Sequence, residues 1–208
     1  EYSEKINIPD NRDRFRTFMN RGAFPYTTNL LDSSLAHTQY LDGVFSTILR
    51  KDVMKRKGIT DIALLEAIAR FLCSNIGSPV SAKAIADYLS SNGRPTAVIT
   101  VENYINALCE AYLFYNVQRY NIKGKILLKT ESKYYVCDTG LRNFLLGVEN
   151  RDIGHVLENI VYLELLRRGY RVTIGKAGTK EVDFRVERNK EIEYYQVSAS
   201  VLDEKTLE

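Results

Sequence analysis

The groups best suited to chemistry lie between Gly154 and Ser198. Glu158 falls in a run with helical periodicity, Glu181 and Asp183 stand two apart in EVDFRVE, and Gln196 and Ser198 stand two apart in EIEYYQVSAS. Alternation in a strand puts Glu181, Asp183 and Arg185 on one face, and Val182, Phe184 and Val186 on the other. The next strand sets Tyr194, Gln196 and Ser198 against Tyr195, Val197 and Ala199, which brings Asp183 and Gln196 side by side. Oxygen groups of this kind suit a hard cation such as Mg²⁺. A second set is basic: Arg94, Arg119, Lys123, Lys125 and Lys129, with Lys83 and Lys133 nearby, gather around a turn and a hairpin where they could meet phosphates.

The elements that must position these groups follow from periodicity and punctuation. Leu157, Val161 and Leu165, with Ile160 alongside, predict a helix from Gly154 to Arg168 that faces the core, with Gly169 placed to end it. YRVTIG, EVDFRVE and EIEYYQVSAS read as three strands, separated by turns at 176–180 and 189–190. Upstream, Phe15, Phe18 and Met19 mark one helix stopped by Gly22 and Pro25. Asp32-Ser33-Ser34 can cap a second, which ends in the basic run 50–58.

Three more helices follow. The first is capped by Thr60 or Asp61, the second by Ser81, and the third, through VENYINALCEAYLF, by Thr96 or Thr100. Two strand-like runs, LFYNVQRYN and ILLKTESKYYV, close a hairpin at Lys123-Gly124-Lys125. Asp138 or Thr139 caps a last short helix that Gly147 ends. Three helices and then a hairpin is the winged helix-turn-helix arrangement. Its third helix carries Glu102 and Glu110 and no Lys or Arg. Asn103 and Asn106 could bond a base edge, but the acidic pair disfavours sequence reading, so phosphate contact is expected from the basic wing. A winged helix used only for packing against a neighbour is an equal alternative.

Composition narrows the classes. The 208 residues carry a formal net charge of +3, with 45% hydrophobic residues, ordinary globular values that permit nucleic-acid contact without demanding it. No apolar run spans a bilayer and no signal-peptide core opens the chain, so a cytoplasmic protein without a membrane partner is expected. Cys73, Cys109 and Cys137 read as buried reduced thiols. His37 and His155 are too few for a histidine-rich metal site.

The helix-plus-meander with Glu158 and Asp183 resembles the restriction-endonuclease-like fold, the PD-(D/E)xK nuclease superfamily. That resemblance implies metal ligation by a helix Glu and a strand Asp, here Glu158 and Asp183, then a further Glu and an activating Lys. Gln196 and Ser198 stand at those last two positions, so two of four groups are replaced. Glu181 could substitute as a ligand, and Lys180 or Tyr194 for the Lys. More widely, the chain resembles the C-terminal region of predicted bacterial and archaeal AAA+ superfamily ATPases. Gly22-Ala23-Phe24-Pro25, residues 48–52, Asp138-Thr139-Gly140-Leu141-Arg142, Leu157-Glu158-Asn159, residues 180–184 and residues 195–198 carry that likeness.

The resemblance implies an α+β chain in three parts: a linker and N-terminal helices over 1–57, a winged helix-turn-helix domain over 58–147, and a truncated, catalytically degenerate restriction-endonuclease-like α/β domain over 148–208. It implies an ATP-binding domain outside this chain, which has no G-x-x-x-x-G-K-[ST] loop, and no cofactor within it. The expected partners are the protein's own ATPase domain, DNA through the wing, and a second copy through the open sheet. The expected role is a non-catalytic accessory region making nucleic-acid backbone or protein contacts. The alternatives are an Mg²⁺-dependent nuclease and a pure protein-interaction module.

Overall fold

A computed structural model describes residues 11–128, 131–147 and 152–199. The chain is α+β. Its described residues open with α1 (Asn11–Arg21), a 3₁₀ turn (Pro25–Leu30) and α2 (Ser34–Thr47), which runs through a widened π segment (Ile48–Met54) into a last turn (Lys55–Lys57). The basic run is therefore a continuation of the helix that buries Leu49 and Val53. It stops where Gly58 takes the left-handed φ of 66°.

Next come α3 (Ile62–Ser74), β1 (Pro79–Val80), α4 (Ala82–Ser91), α5 (Val98–Glu110), β2 (Phe114–Val117), β3 (Arg119–Asn121), β4 (Ile126–Leu127), β5 (Ser132–Val136) and α6 (Thr139–Leu146). Side chains satisfy the open N–H groups at most helix starts: Ser33 accepts from Ala36 N, Asp61 from Leu64 N, Ser81 from Ala84 N and Asp138 from Leu141 N. Two helices start without such a bond: the one over Ile153–Arg167, whose Asp152 makes no side-chain capping contact, and α5. α5 begins at Val98, two residues before Thr100, on an Ala97 cap that lends no side chain. Thr96 instead donates its hydroxyl to Arg94 O.

The last section is α7 (Ile153–Arg167), β6 (Arg171–Ala177), β7 (Lys180–Arg188) and β8 (Glu191–Tyr195). The strands form two sheets. One is antiparallel, ordered β1-β5-β2; the other is mixed, ordered β4-β3-β6-β7-β8, with β3 parallel to β6. The second sheet thus reaches back across the expected 147/148 division. Only Gln118 separates β2 from β3, so one extended run serves both sheets, and Gln118 O accepts from Ile174 N at 3.0 Å. The outer half of the expected wing is built into the second sheet, where it covers the edge that β6 would otherwise expose.

β5 is the wall between two cores. Tyr134 and Val136 face the larger one, with Leu65, Ile68, Leu72, Ile105 and Leu108. Tyr135 faces the smaller one, with Tyr162, Leu165, Ile174, Phe184 and Val186. Tyr135 and Tyr162 stack at 4.5 Å between ring centroids. The buried face of α7 runs through Val156, Asn159 and Tyr162 rather than through Leu157 and Val161, which are half-buried. The three cysteines are free thiols, and burial pushes those of Cys73 and Cys109 up to about 12. No helix among the described residues is long and apolar enough to cross a membrane.

Candidate functional site

α7 brings Glu158 to the seam between the two sheets, where it is 7% exposed. Its Oε1 accepts from Tyr135 Oη at 2.6 Å and from Lys133 Nζ at 3.1 Å. Gly77 makes the room: a Cβ there would stand 3.1 Å from Glu158 Oε2. Lys133 also meets Glu181 Oε1 at 3.0 Å. Arg119 extends the network, with Glu131 at 2.7 Å and Glu181 Oε2 at 3.4 Å from its guanidinium. Burial alone would push the Lys133 ammonium down, but its two carboxylates outweigh that and its pKa is raised. Burial also raises Glu158, against the lowering pull of Lys133 and Tyr135, and the Asp183 charge adds to the rise.

Asp183 stands at a bulge. Thr173 pairs with Arg185 and Gly175 with Val182, so Asp183 and Phe184 together oppose Ile174. Its Oδ2 accepts from Val197 N at 2.8 Å, and its own N–H donates to Gln196 Oε1 at 3.3 Å. Asp183 and Gln196 are brought together, but each is spent on the other's backbone neighbourhood. Ser198 lies beyond β8 without the cation that a nuclease would place there.

A divalent ion would need Glu158 and Asp183 to turn free oxygens to one point. Instead Lys133 and Tyr135 hold Glu158 Oε1, the Val197 amide holds Asp183 Oδ2, and the Lys133 ammonium already sits against the Glu158 carboxylate. Among the described residues no three His, Cys, Asp or Glu side chains are grouped to hold a metal. As arranged, these residues do not fit the ion.

The basic residues divide by location. Arg119 is 6% exposed and Lys133 4% exposed, so both serve the interior network rather than a phosphate. Arg94 is committed to Asp61 at 2.5 and 2.6 Å, which together with the Leu64 amide holds the Asp61 carboxyl below its usual range. Lys83 pairs with Asp87 at 2.7 Å. Lys129 lies outside the described residues. Lys123 and Lys125 are exposed at the β3–β4 turn, which Asn121 Oδ1 ties down by accepting from Gly124 N at 2.9 Å.

Parallel pairing of β3 with β6 sets a second hairpin tip beside this one. Asn121 is in register with Lys176, and Ala177 with Lys180. Lys123, Lys125, Lys176 and Lys180 therefore gather at one end of the sheet, and among the described residues none of them forms an ion pair, although Glu181 stands in register with Lys176. No local feature of the sequence marks this grouping, because the β3–β6 pairing joins distant segments. On α5, by contrast, Glu102, Asn103, Asn106 and Glu110 are exposed. Glu110 pairs with Lys57, and Glu102 and Glu131 line a groove of about 410 Å³ between α5 and the first sheet.

The segments of the wider resemblance have structural work. Asp138 Oδ2 accepts from Ala23 N at 2.5 Å, binding the loop after α1 to the start of α6. Asn143 donates to Met19 O and Asn20 O, and Arg142 Nε to Cys73 O.

An uncharacterized Haemophilus influenzae protein is 39% identical over 180 residues, covering 86% of this chain and 44% of its own length. An uncharacterized Methanocaldococcus jannaschii protein is 31% identical over 183 residues, covering 84% of this chain and 40% of its own length. The chain thus spans less than half the length of these curated relatives. No solved structure gives a significant match. Residues 12–152 match the family described as "Domain of unknown function (DUF8612)", and across that span, most of its length, the protein belongs to this family.

Proposed function

We propose that this chain is a non-catalytic accessory region of an AAA+ family ATPase that docks on the nucleic-acid backbone. The observation that carries the docking is the end of the second sheet. Four lysines gather on two neighbouring hairpin tips, Lys123, Lys125 and Lys180 exposed and Lys176 half-buried opposite Glu181, and no ion pair with a carboxylate among the described residues holds any of them. Such a surface binds phosphates by charge and counterion release, without reading sequence. The acidic face of α5 supports the same division: base reading is disfavoured there.

A winged helix is supported by the succession α3-β1-α4-α5-β2-β5 with β5 central in its sheet. A degenerate restriction-endonuclease-like domain is supported by α7 followed by the β6-β7-β8 meander, with Gln196 and Ser198 where the acidic and basic groups of a nuclease would stand. The relatives, more than twice as long as the matched segment, leave room for an ATPase domain. A cytoplasmic setting and contact with that domain go with this reading. The β8 edge, with Ile192 and Tyr194 about half exposed, is the surface for a second copy.

The test is fluorescence anisotropy with labelled duplex DNA. Binding that Lys123→Glu/Lys125→Glu weakens at least tenfold supports the reading. No binding at low salt removes it and turns the search to protein partners.

A further inference from the structure

The carboxylate site at the seam already contains a cation, and that cation is part of the chain. Lys133 leaves β5 on the same face as Tyr135 and is 4% exposed. Its Nζ stands 3.1 Å from Glu158 Oε1 and 3.0 Å from Glu181 Oε1. Glu158 comes from α7, Glu181 from β7 and Lys133 from β5, so three elements distant in sequence converge on one ammonium. Arg119 sets a second positive charge against Glu181. The network therefore approaches the charge that a divalent ion would bring to the same carboxylates.

Buried carboxylates without a counter-charge are strongly disfavoured, and loss of one partner is costlier than loss of both. Withdrawing the ammonium would leave the buried Glu158 without a cation. Beside it stand the Asp183 charge and Glu181, which keeps only Arg119 at 3.4 Å, an arrangement that invites a replacement cation with oxygen-only ligands.

We propose that Lys133 is the resident cation of this site: its ammonium takes the place that a divalent ion would hold, ties α7 and β7 to β5, and keeps external ions out. The closed site follows from Lys133 itself, not only from the missing nuclease groups at 196 and 198. It is independent of the nucleic-acid reading, since Lys133 is buried and cannot touch a phosphate.

The experiment uses Mn²⁺ as the probe and thermal unfolding of the full chain as the readout. Lys133→Ala unfolds several degrees below the wild type, and millimolar Mn²⁺ raises its midpoint in a saturable way. The wild type does not respond, and Lys133→Ala/Glu158→Gln does not respond. A folded Lys133→Ala indifferent to Mn²⁺ overturns the proposal. So does a Mn²⁺ response of the wild type that Glu158→Gln abolishes. If Lys133→Ala does not fold, the pair of nearly isosteric neutral changes decides. Lys133→Met/Glu158→Gln must unfold at a higher temperature than either single variant, and a double variant no more stable than the worse single one overturns the proposal.

Discussion

Asn159 makes a two-bond pair with the backbone of Val136. Its Oδ1 accepts from Val136 N at 2.8 Å and its Nδ2 donates to Val136 O at 2.9 Å. The side chain acts as a one-residue strand partner for β5, so α7 docks on the wall between the two cores through a bond pattern that no apolar residue could copy. Glu158, one position earlier, fixes the same helix to Lys133 and Tyr135. Leu157-Glu158-Asn159 thus reads as a joint between the sheets.

Asn159→Ala leaves two buried backbone groups of Val136 unpaired and opens a void. It is expected to cost about 3 kcal/mol, measured by urea unfolding, with no change in the denaturant slope. Asn159→Asp is expected to be no better, since a carboxylate cannot donate to Val136 O.

Gly22 and Gly140 are each required by a close approach. A Cβ on Gly140 would overlap the Arg21 carbonyl, and one on Gly22, at φ 82°, would overlap the Asp138 carboxylate. Gly140→Ala meets backbone and is expected to lose about 2–3 kcal/mol. Gly22→Ala adds a left-handed strain of about 1 kcal/mol to its own clash. Chemical denaturation of both variants checks this, and wild-type stability in either would contradict the docking of the α1 loop on α6.

Burial holds the Glu158 carboxyl above its ordinary 4.5 in the folded chain. The unfolded chain therefore releases this proton first as pH rises. Glu158's contribution to stability is greatest below pH 4.5 and declines as pH climbs through the raised folded value. Glu164, held down to about 2 by Arg167 and Arg168, acts in the opposite sense: its contribution is present above 4.5 and lost as pH falls toward 2. Unfolding across pH 2–8 in wild type and Glu158→Gln is expected to show a flatter decline above pH 4.5 in the variant.

Much of this architecture is legible in the sequence, and the failures have a common cause. Local signals suffice for several helix starts: Asp61, Ser81 and Asp138 each precede an apolar stripe and each caps in the structure, whereas neither Thr96 nor Thr100 caps α5. They do not suffice for pairing between distant segments. Nothing near Arg119 announces that β3 will lie parallel to β6, so the wing reads as free and its basic residues as surface. Lys133 carries one readable signal, its alternation with Tyr135 in Ser132–Val136, a strand whose opposite face is Tyr134 and Val136. A strand apolar on both faces is buried on both, and a lysine within it needs carboxylates. Glu158 and Asp183 stand out in the sequence, but the fold gives each its own partners: Lys133 and Tyr135 for Glu158, and the Val197 amide for Asp183. The bulge at Asp183, and the backbone amide that occupies its oxygen, arise from tertiary register and have no local sequence mark.

A plasmid or oligonucleotide substrate with Mg²⁺ or Mn²⁺ is expected to remain uncut by this chain. Cleavage that Asp183→Asn abolishes would restore the nuclease reading.

The most direct test of backbone docking is the salt dependence of duplex binding. Removing one phosphate-binding cation lowers the slope of log K against log salt by about 0.9. Lys123→Glu/Lys125→Glu and Lys176→Glu/Lys180→Glu are each expected to flatten that slope by roughly twice this amount. Arg171→Glu/Lys190→Glu, an equal charge change at the opposite end of the same sheet, is expected to leave the slope nearly intact. Equal flattening by all three pairs would show that only net charge matters and would contradict a docking surface at the two hairpin tips.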